Sequence, residues 1–251
     1  MTTPAKAADH LHTTLAGLSS PALAESLQRY FPGSVAALGV SNAAVATLAN
    51  DYVKAHDLTP ADRLEITELL LRRATYHEEV LLAFAVLEKV ARRSFDAMLL
   101  DRFRRWLETV VSNWAQCDDL CLKVVYQFLL GHPDLITATR DWLGSASPWA
   151  RRAANVAVVK FVRRKIGAEI YRLPLDVVFG NSLRLIDDPD PYVQKSIGWL
   201  LKVASVEHPQ EVVTFLRDRG GEMARATLRI AVEKFDPNVR RSLLTVGTGP
   251  P

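Results

Sequence analysis

Two stretches of this chain, "SPWARRAANVAVVKFV" and "DPYVQKSIGWLLKVAS", align from Pro148 and Pro191, 43 residues apart. A period of this size is the mark of helical pairs that stack side by side, each burying a face that it could not bury alone. Both stretches open with a small or acidic residue and a proline, and each has a basic residue four positions on, Arg152 in one and Lys195 in the other. Upstream, "YHEEVLLAFAVLEKV" from Tyr76 and the segment around Trp114 fall at similar intervals.

Helical periodicity dominates the rest of the chain, and alternating strand patterns are missing. A polar residue followed by proline marks helix starts at Thr59, His132, Ser147, Asp190 and His208, because proline has no N–H to lose in a first helical turn. These signals predict about a dozen helices joined by short turns. The fold expected is an all-α, HEAT-like helical-repeat solenoid, an α-α superhelix with a concave binding surface. Residues 1–19 read as a flexible N-terminal segment, 20–244 as a single domain and 245–251 as a disordered tail.

Charge narrows the function only slightly. Lys and Arg number 31 against 28 acidic residues, a net charge of +3, so a basic surface has to come from clustering. No run is long enough to cross a bilayer, and the first twenty residues lack a secretory layout; a cytoplasmic protein is expected. Cys117 and Cys121, four apart on one predicted helix, read as buried fillers. His10 and His12 form an H-x-H pair without further metal-spaced ligands, so neither metal nor cofactor is expected.

Projection at about 100° per residue separates core from open faces. Over 191–204, Val193, Ile197, Leu200, Leu201 and Ala204 make an apolar stripe, while Lys195, Trp199 and Lys202 group on the opposite side beside Gly198. Either a neighbouring helix covers Trp199, or it is an exposed aromatic platform among phosphate-seeking cations. In the helix expected over 150–164, Ala154, Ala157, Val158 and Phe161 form the stripe, and Arg152 and Arg163 point away from it. In "NWAQCDDLC", Cys117, Cys121, Val124 and Phe128 are the stripe. Trp114 at its margin is as much core as site. Asp118 lies on the stripe's shoulder, and Asp119 is expected to face solvent or to be a helix-end charge.

These residues carry a resemblance. "NWAQCDDL" resembles the Trp-x-x-x-Asp segment of the HEAT-like DNA alkylation repair glycosylases of the AlkD type. "HPDLITATRDWLGSASPWARRAA" is similar to that family's following stretch, and "YVQKSIGWLLK" to its Gln-Lys-x-Ile-Gly-Trp motif. "RYFPGSVAALGV" and "YHEEVLLAFAVLEK" resemble its upstream regions, so the similarity runs over about residues 20 to 240. Some relatives carry a double tryptophan where Trp114 stands alone, followed by Ala115.

The resemblance implies a monofunctional glycosylase that excises positively charged alkylated purines, of the 3-methyladenine and 7-methylguanine type, from duplex DNA. It implies Asp118, Trp114, Trp199 and Arg152 as the active cluster, with Tyr30 near the lesion. Arg151, Arg163, Lys195 and Lys202 are expected at the DNA backbone. It further implies a lesion contacted without base flipping, by a protein acting as a monomer. Two other readings stay open: a DNA-binding paralogue without turnover, and a protein-interaction solenoid.

Overall fold

The computed structural model describes residues 3–31 and 33–246. Fourteen α-helices account for most of them, with a two-stranded hairpin, three short 3-10 stretches and one π-helical turn. The chain divides into two compact units, Met1–Gly131 and His132–Pro251, where the sequence suggested one domain. Among the described residues no helix is long and apolar enough to cross a membrane.

The first unit contains α1 (Pro4–Gly17), α2 (Pro21–Gln28), α3 (Asn42–Ala55), α4 (Pro60–Arg73), α5 (His77–Leu87), α6 (Leu99–Thr109), α7 (Trp114–Asp119) and α8 (Tyr126–Gly131), with a π-helical turn over Leu120–Val125 between the last two. Helix α5 is its axis, packed against α3 and α4 and buried at every position but Ala85. A helix apolar nearly all round is one that other helices surround. Its one fully buried charge, Glu78, accepts from the backbone N–H of Leu38, Gly39 and Val40 at 2.9, 2.8 and 3.1 Å. Those bonds replace the water that burial removes. Gly39 sits at φ +76°, and a Cβ there would lie 2.0 Å from the Ser20 carbonyl oxygen, so only glycine fits this turn.

The reading of residues 1–19 as flexible is corrected by α1. Ala7, Ala8, Leu11 and Leu15 are fully buried, against α3 and α4. The stripe they form at helical spacing is what docks the segment. Asp9 meets Arg73 at 2.6 Å and His12 meets Glu79 at 2.9 Å, while His10 lies 5.3 Å from the Tyr52 ring. The H-x-H pair is thus divided between two neighbours. Of the tail expected to be disordered, residues 247–251 lie outside the described residues, while Val246 donates to the Leu243 carbonyl.

The second unit holds a 3-10 stretch (Pro133–Gly144), α9 (Pro148–Val156), a hairpin of β1 (Arg163–Ile166) and β2 (Glu169–Arg172), then α10 (Leu175–Arg184), α11 (Pro191–Glu207), α12 (Pro209–Arg219), α13 (Arg225–Ala231) and α14 (Pro237–Leu244). The prolines expected at helix starts are there. Thr59 and Asp62 close a capping box at the head of α4, and Asp190 accepts from the N–H of Tyr192 and Val193 at the head of α11. The single helix expected over 150–164 is not there. Helix α9 stops at Val156, and Gly167, at φ +62°, opens a two-residue turn that folds "RRKIGAEIYR" into an antiparallel ribbon. An apolar stripe of period 3.6 says nothing about where a glycine turn will end it.

Helix α11 is the axis of this unit, in contact with α9, α10, α12 and α13. At Gly198 a Cβ would lie 2.7 Å from the Thr227 carbonyl oxygen and 2.8 Å from the Ile230 Cβ. Gly198→Ala should therefore lower stability by about 1–3 kcal/mol in denaturant unfolding. An unchanged midpoint would show that α13 yields at no cost.

Candidate functional site

In the first unit the site residues are set by the start of α7. Asn113 caps it, its Oδ1 accepting from the N–H of Ala115 and Gln116 at 3.1 and 3.0 Å. The Asn113 Nδ2 also faces the Nδ1 of His77 at 3.3 Å. Burial holds the His77 imidazole below its ordinary pKa, against the opposing pull of Glu78, so a neutral Nδ1 can accept that bond. Gln116 reaches back to Ser112, accepting from its N–H at 2.9 Å and its hydroxyl at 3.1 Å. The head of α7 is thereby tied to the head of α5.

Trp114 is the first residue of α7, half-buried, with its indole N–H donating to the Tyr30 carbonyl at 3.3 Å. Its ring lies 5.7 Å from Phe31, whose ring lies 5.6 Å from His77. The indole thus leans on a pair of tilted rings. The Tyr30 side chain is 70% exposed. Trp114 and Tyr30 are thus brought together, through indole and backbone. Asp118, one turn along from Trp114, is half-buried.

Asp119 does not face solvent as expected. Its side chain is 9% exposed and paired with Lys123, and its Oδ2 is a buried atom with no hydrogen-bond partner. Burial pushes this carboxyl above the usual range; Lys123 pulls the other way, while Glu88 and Asp118 add to the rise. The flank that periodicity left open is covered because α5 packs on the π-helical turn that follows Asp119. Cys117 and Cys121 are fully buried thiols, as read.

In the second unit Arg152 is buried, against expectation: 5% exposed, with Nη1 donating to the Tyr192 carbonyl at 2.6 Å. The repeat predicted its phase, and α11 packed on α9 covers that phase. Arg151 is also corrected as a backbone contact. It grips Asp188 with Nε and Nη2 at 2.6 and 3.2 Å, and its Nη1 donates to the carbonyls of Ser145 and Ala146 at 2.9 Å. Its fork holds the turn before α9 to the turn before α11.

Trp199 is half-buried in the middle of α11. Lys195 is exposed, its Nζ 5.0 Å from the Tyr192 ring centroid. Lys202 is half-buried and meets Glu233 at 3.2 Å. Arg163 lies on β1, exposed, 3.3 Å from Glu207 at the far end of α11. Two aromatic residues were missed: Trp149 and Tyr192, with rings 5.8 Å apart. Each directly follows the proline of its repeat, and the 43-residue register carried that signal.

A solved structure, of a predicted DNA alkylation repair enzyme from Enterococcus faecalis, is similar over 87% of this chain and 97% of its own. The TM-score is 0.75 at 15% identity, a likeness that bears on fold. The class is that of all-α helical-repeat proteins. Within it, the chain belongs to the DNA alkylation repair enzyme family, whose model matches residues 11–235. That membership assigns it a role in alkylation repair, with DNA as its substrate. A search of curated proteins matches none.

The raised Asp119 carboxyl has a consequence for stability. A carboxyl that holds its proton more tightly when folded binds more protons in the folded state over the window from its ordinary 3.8 up to the raised value. Stability therefore falls as pH rises through that window. Asp119→Asn should flatten this fall when denaturant midpoints are compared from about pH 4 to pH 7. A wild-type curve with the same slope as the variant would remove the buried, proton-holding role.

Proposed function

We propose that this protein is a monofunctional DNA glycosylase that excises cationic alkylated purines, such as 3-methyladenine and 7-methylguanine, from duplex DNA. The observation that carries the reading is Trp114 and Asp118 one turn apart on a helix whose head is fixed by the Asn113, Gln116 and His77 bonds. Membership of the alkylation repair family supports DNA as the substrate.

Alkylation gives the base a positive charge, so the N-glycosidic bond breaks with its electron pair moving to the base nitrogen and cancelling that charge. The base needs no acid to leave. The deoxyribose left behind approaches an oxocarbenium ion, which the Asp118 carboxylate stabilises. Water adds to the sugar carbon and gives up a proton, leaving an abasic site and a neutral free base. The Trp114 indole faces the cation, a contact that contributes about 0.5 to 2 kcal/mol. Arg152 sits between α9 and α11 and orders the aromatic and basic heads of both helices through the Tyr192 carbonyl. Lys195 meets DNA phosphates. The protein works as a cytoplasmic monomer, and the lesion stays in the duplex.

Incubation with duplex DNA carrying 7-methylguanine should release free base. Asp118→Asn should bind that DNA at least as well as wild type and excise about 10²–10³-fold more slowly. DNA bound by wild type with no base released would sink the glycosylase reading, and an Asp118→Asn variant as fast as wild type would remove the role of Asp118.

A further inference from the structure

The hairpin interrupts the helical repeat and has a strongly charged face of its own. Cross-strand partners share a face of a ribbon. The register pairs Arg163 with Arg172, Lys165 with Ile170, Arg164 with Tyr171 and Ile166 with Glu169. Tyr171 and Ile166 are half-buried, and the Tyr171 ring meets Phe161 edge-on at 6.1 Å. That is the inner face. The ribbon is hinged to the body by buried Leu173, whose N–H donates to the carbonyls of Phe161 and Val162 at 3.0 and 3.3 Å.

The outer face is Arg163, Lys165, Arg172 and Ile170, all exposed. Like charges directly opposite each other destabilise a ribbon, and two strands alone are a marginal structure. Setting Arg163 across from Arg172 therefore works against the hairpin's own folding. Glu207 relieves one of the three cations through an exposed pair at 3.3 Å, a kind of contact that is weak and screened by salt. A row of anions laid along the ribbon would relieve all three at once.

Position gives that row a use. Along α11, Lys195 and Tyr192 lie toward the N-terminal end, Trp199 in the middle, and Glu207, which holds Arg163, at the C-terminal end. Trp199 and Glu207 are separated by eight residues, about 12 Å of helix. The ribbon thus stands on the side of Trp199 away from Lys195.

The geometry points to the outer face of the hairpin as a binding site for the sugar–phosphate backbone of duplex DNA, with Arg163, Lys165 and Arg172 each neutralising a phosphate. Together with Lys195 it brackets Trp199, so the DNA is held on both sides of the lesion. This site rests on the reading of the protein as one that grips duplex DNA, and it does not depend on base excision.

The test is equilibrium binding of the whole protein to an undamaged duplex, followed by anisotropy across a salt series. Lys165→Gln with Arg172→Gln should make the plot of log affinity against log salt shallower by about 1.8, two phosphates at about 0.9 each. Affinity at low salt should fall at least about tenfold. Lys165→Arg with Arg172→Lys should keep the wild-type slope. Both pairs are exposed, so thermal midpoints should be no lower than wild type and show that each variant is folded. A Gln variant with the wild-type slope leaves the ribbon to an acidic protein or to solvent, and overturns the assignment. Wild type that binds undamaged duplex but releases no base from duplex carrying 7-methylguanine overturns only the glycosylase reading. Wild type that binds no duplex overturns both.

Discussion

The second unit depends on how closely α13 approaches α11 at Gly198. With no side chain there, the Thr227 carbonyl can sit where a Cβ would be, and Thr227 then donates its hydroxyl to the Gln194 side-chain oxygen at 2.9 Å. Gln194 spends its Nε2 on the carbonyls of Leu185, Ile186 and Asp188. Asp188, so fixed, takes the fork of Arg151. A single absent methyl group thus leads through three hydrogen bonds to the turns that aim α9 and α11. On the other side of α11, Asn155 donates to the Ser196 hydroxyl at 3.0 Å. Buried polar networks of this kind select one geometry, because any shift leaves a partner unsatisfied at real cost.

The first unit solves a related problem with charge. Glu78 and Glu79 both sit at the head of α5 and both spend their oxygens on backbone N–H groups, Glu78 on 38–40 and Glu79 on Thr75 and Tyr76. Asn113 and Gln116 then tie the head of α7 to His77. Trp114 inherits its place from this chain of contacts, with the indole leaning on Phe31 and the N–H held by Tyr30. A ring held in this way is ordered before any partner arrives, because ordering it afterwards would cost binding free energy.

Much of this was legible in the residues. Helix starts were, since proline after a polar residue has one good place in a helix. The 43-residue register predicted one side for Arg152 and Lys195, yet Arg152 is buried and Lys195 exposed. Burial was not legible, because it depends on which neighbour covers an open-looking face. Arg151 and Arg152 read as free cations, yet one fills a structural fork and the other lies beneath α11. Asp118 and Asp119 were ranked by helix angle, and the more buried of the two turned out to be Asp119. The hairpin escaped because its apolar residues also fit a helical period; only the turn at Gly167 separates the two.

By itself the sequence determined the helical class, the helix starts and the family. These follow from spacing and local backbone chemistry, which act within a few residues of each other. Only the tertiary structure decided which charges are spent inside the protein and which are offered outward. That choice is made by segments 30 to 40 residues apart, such as Arg152 with Tyr192 and Arg151 with Asp188, and no periodicity along one helix encodes what a second helix will cover.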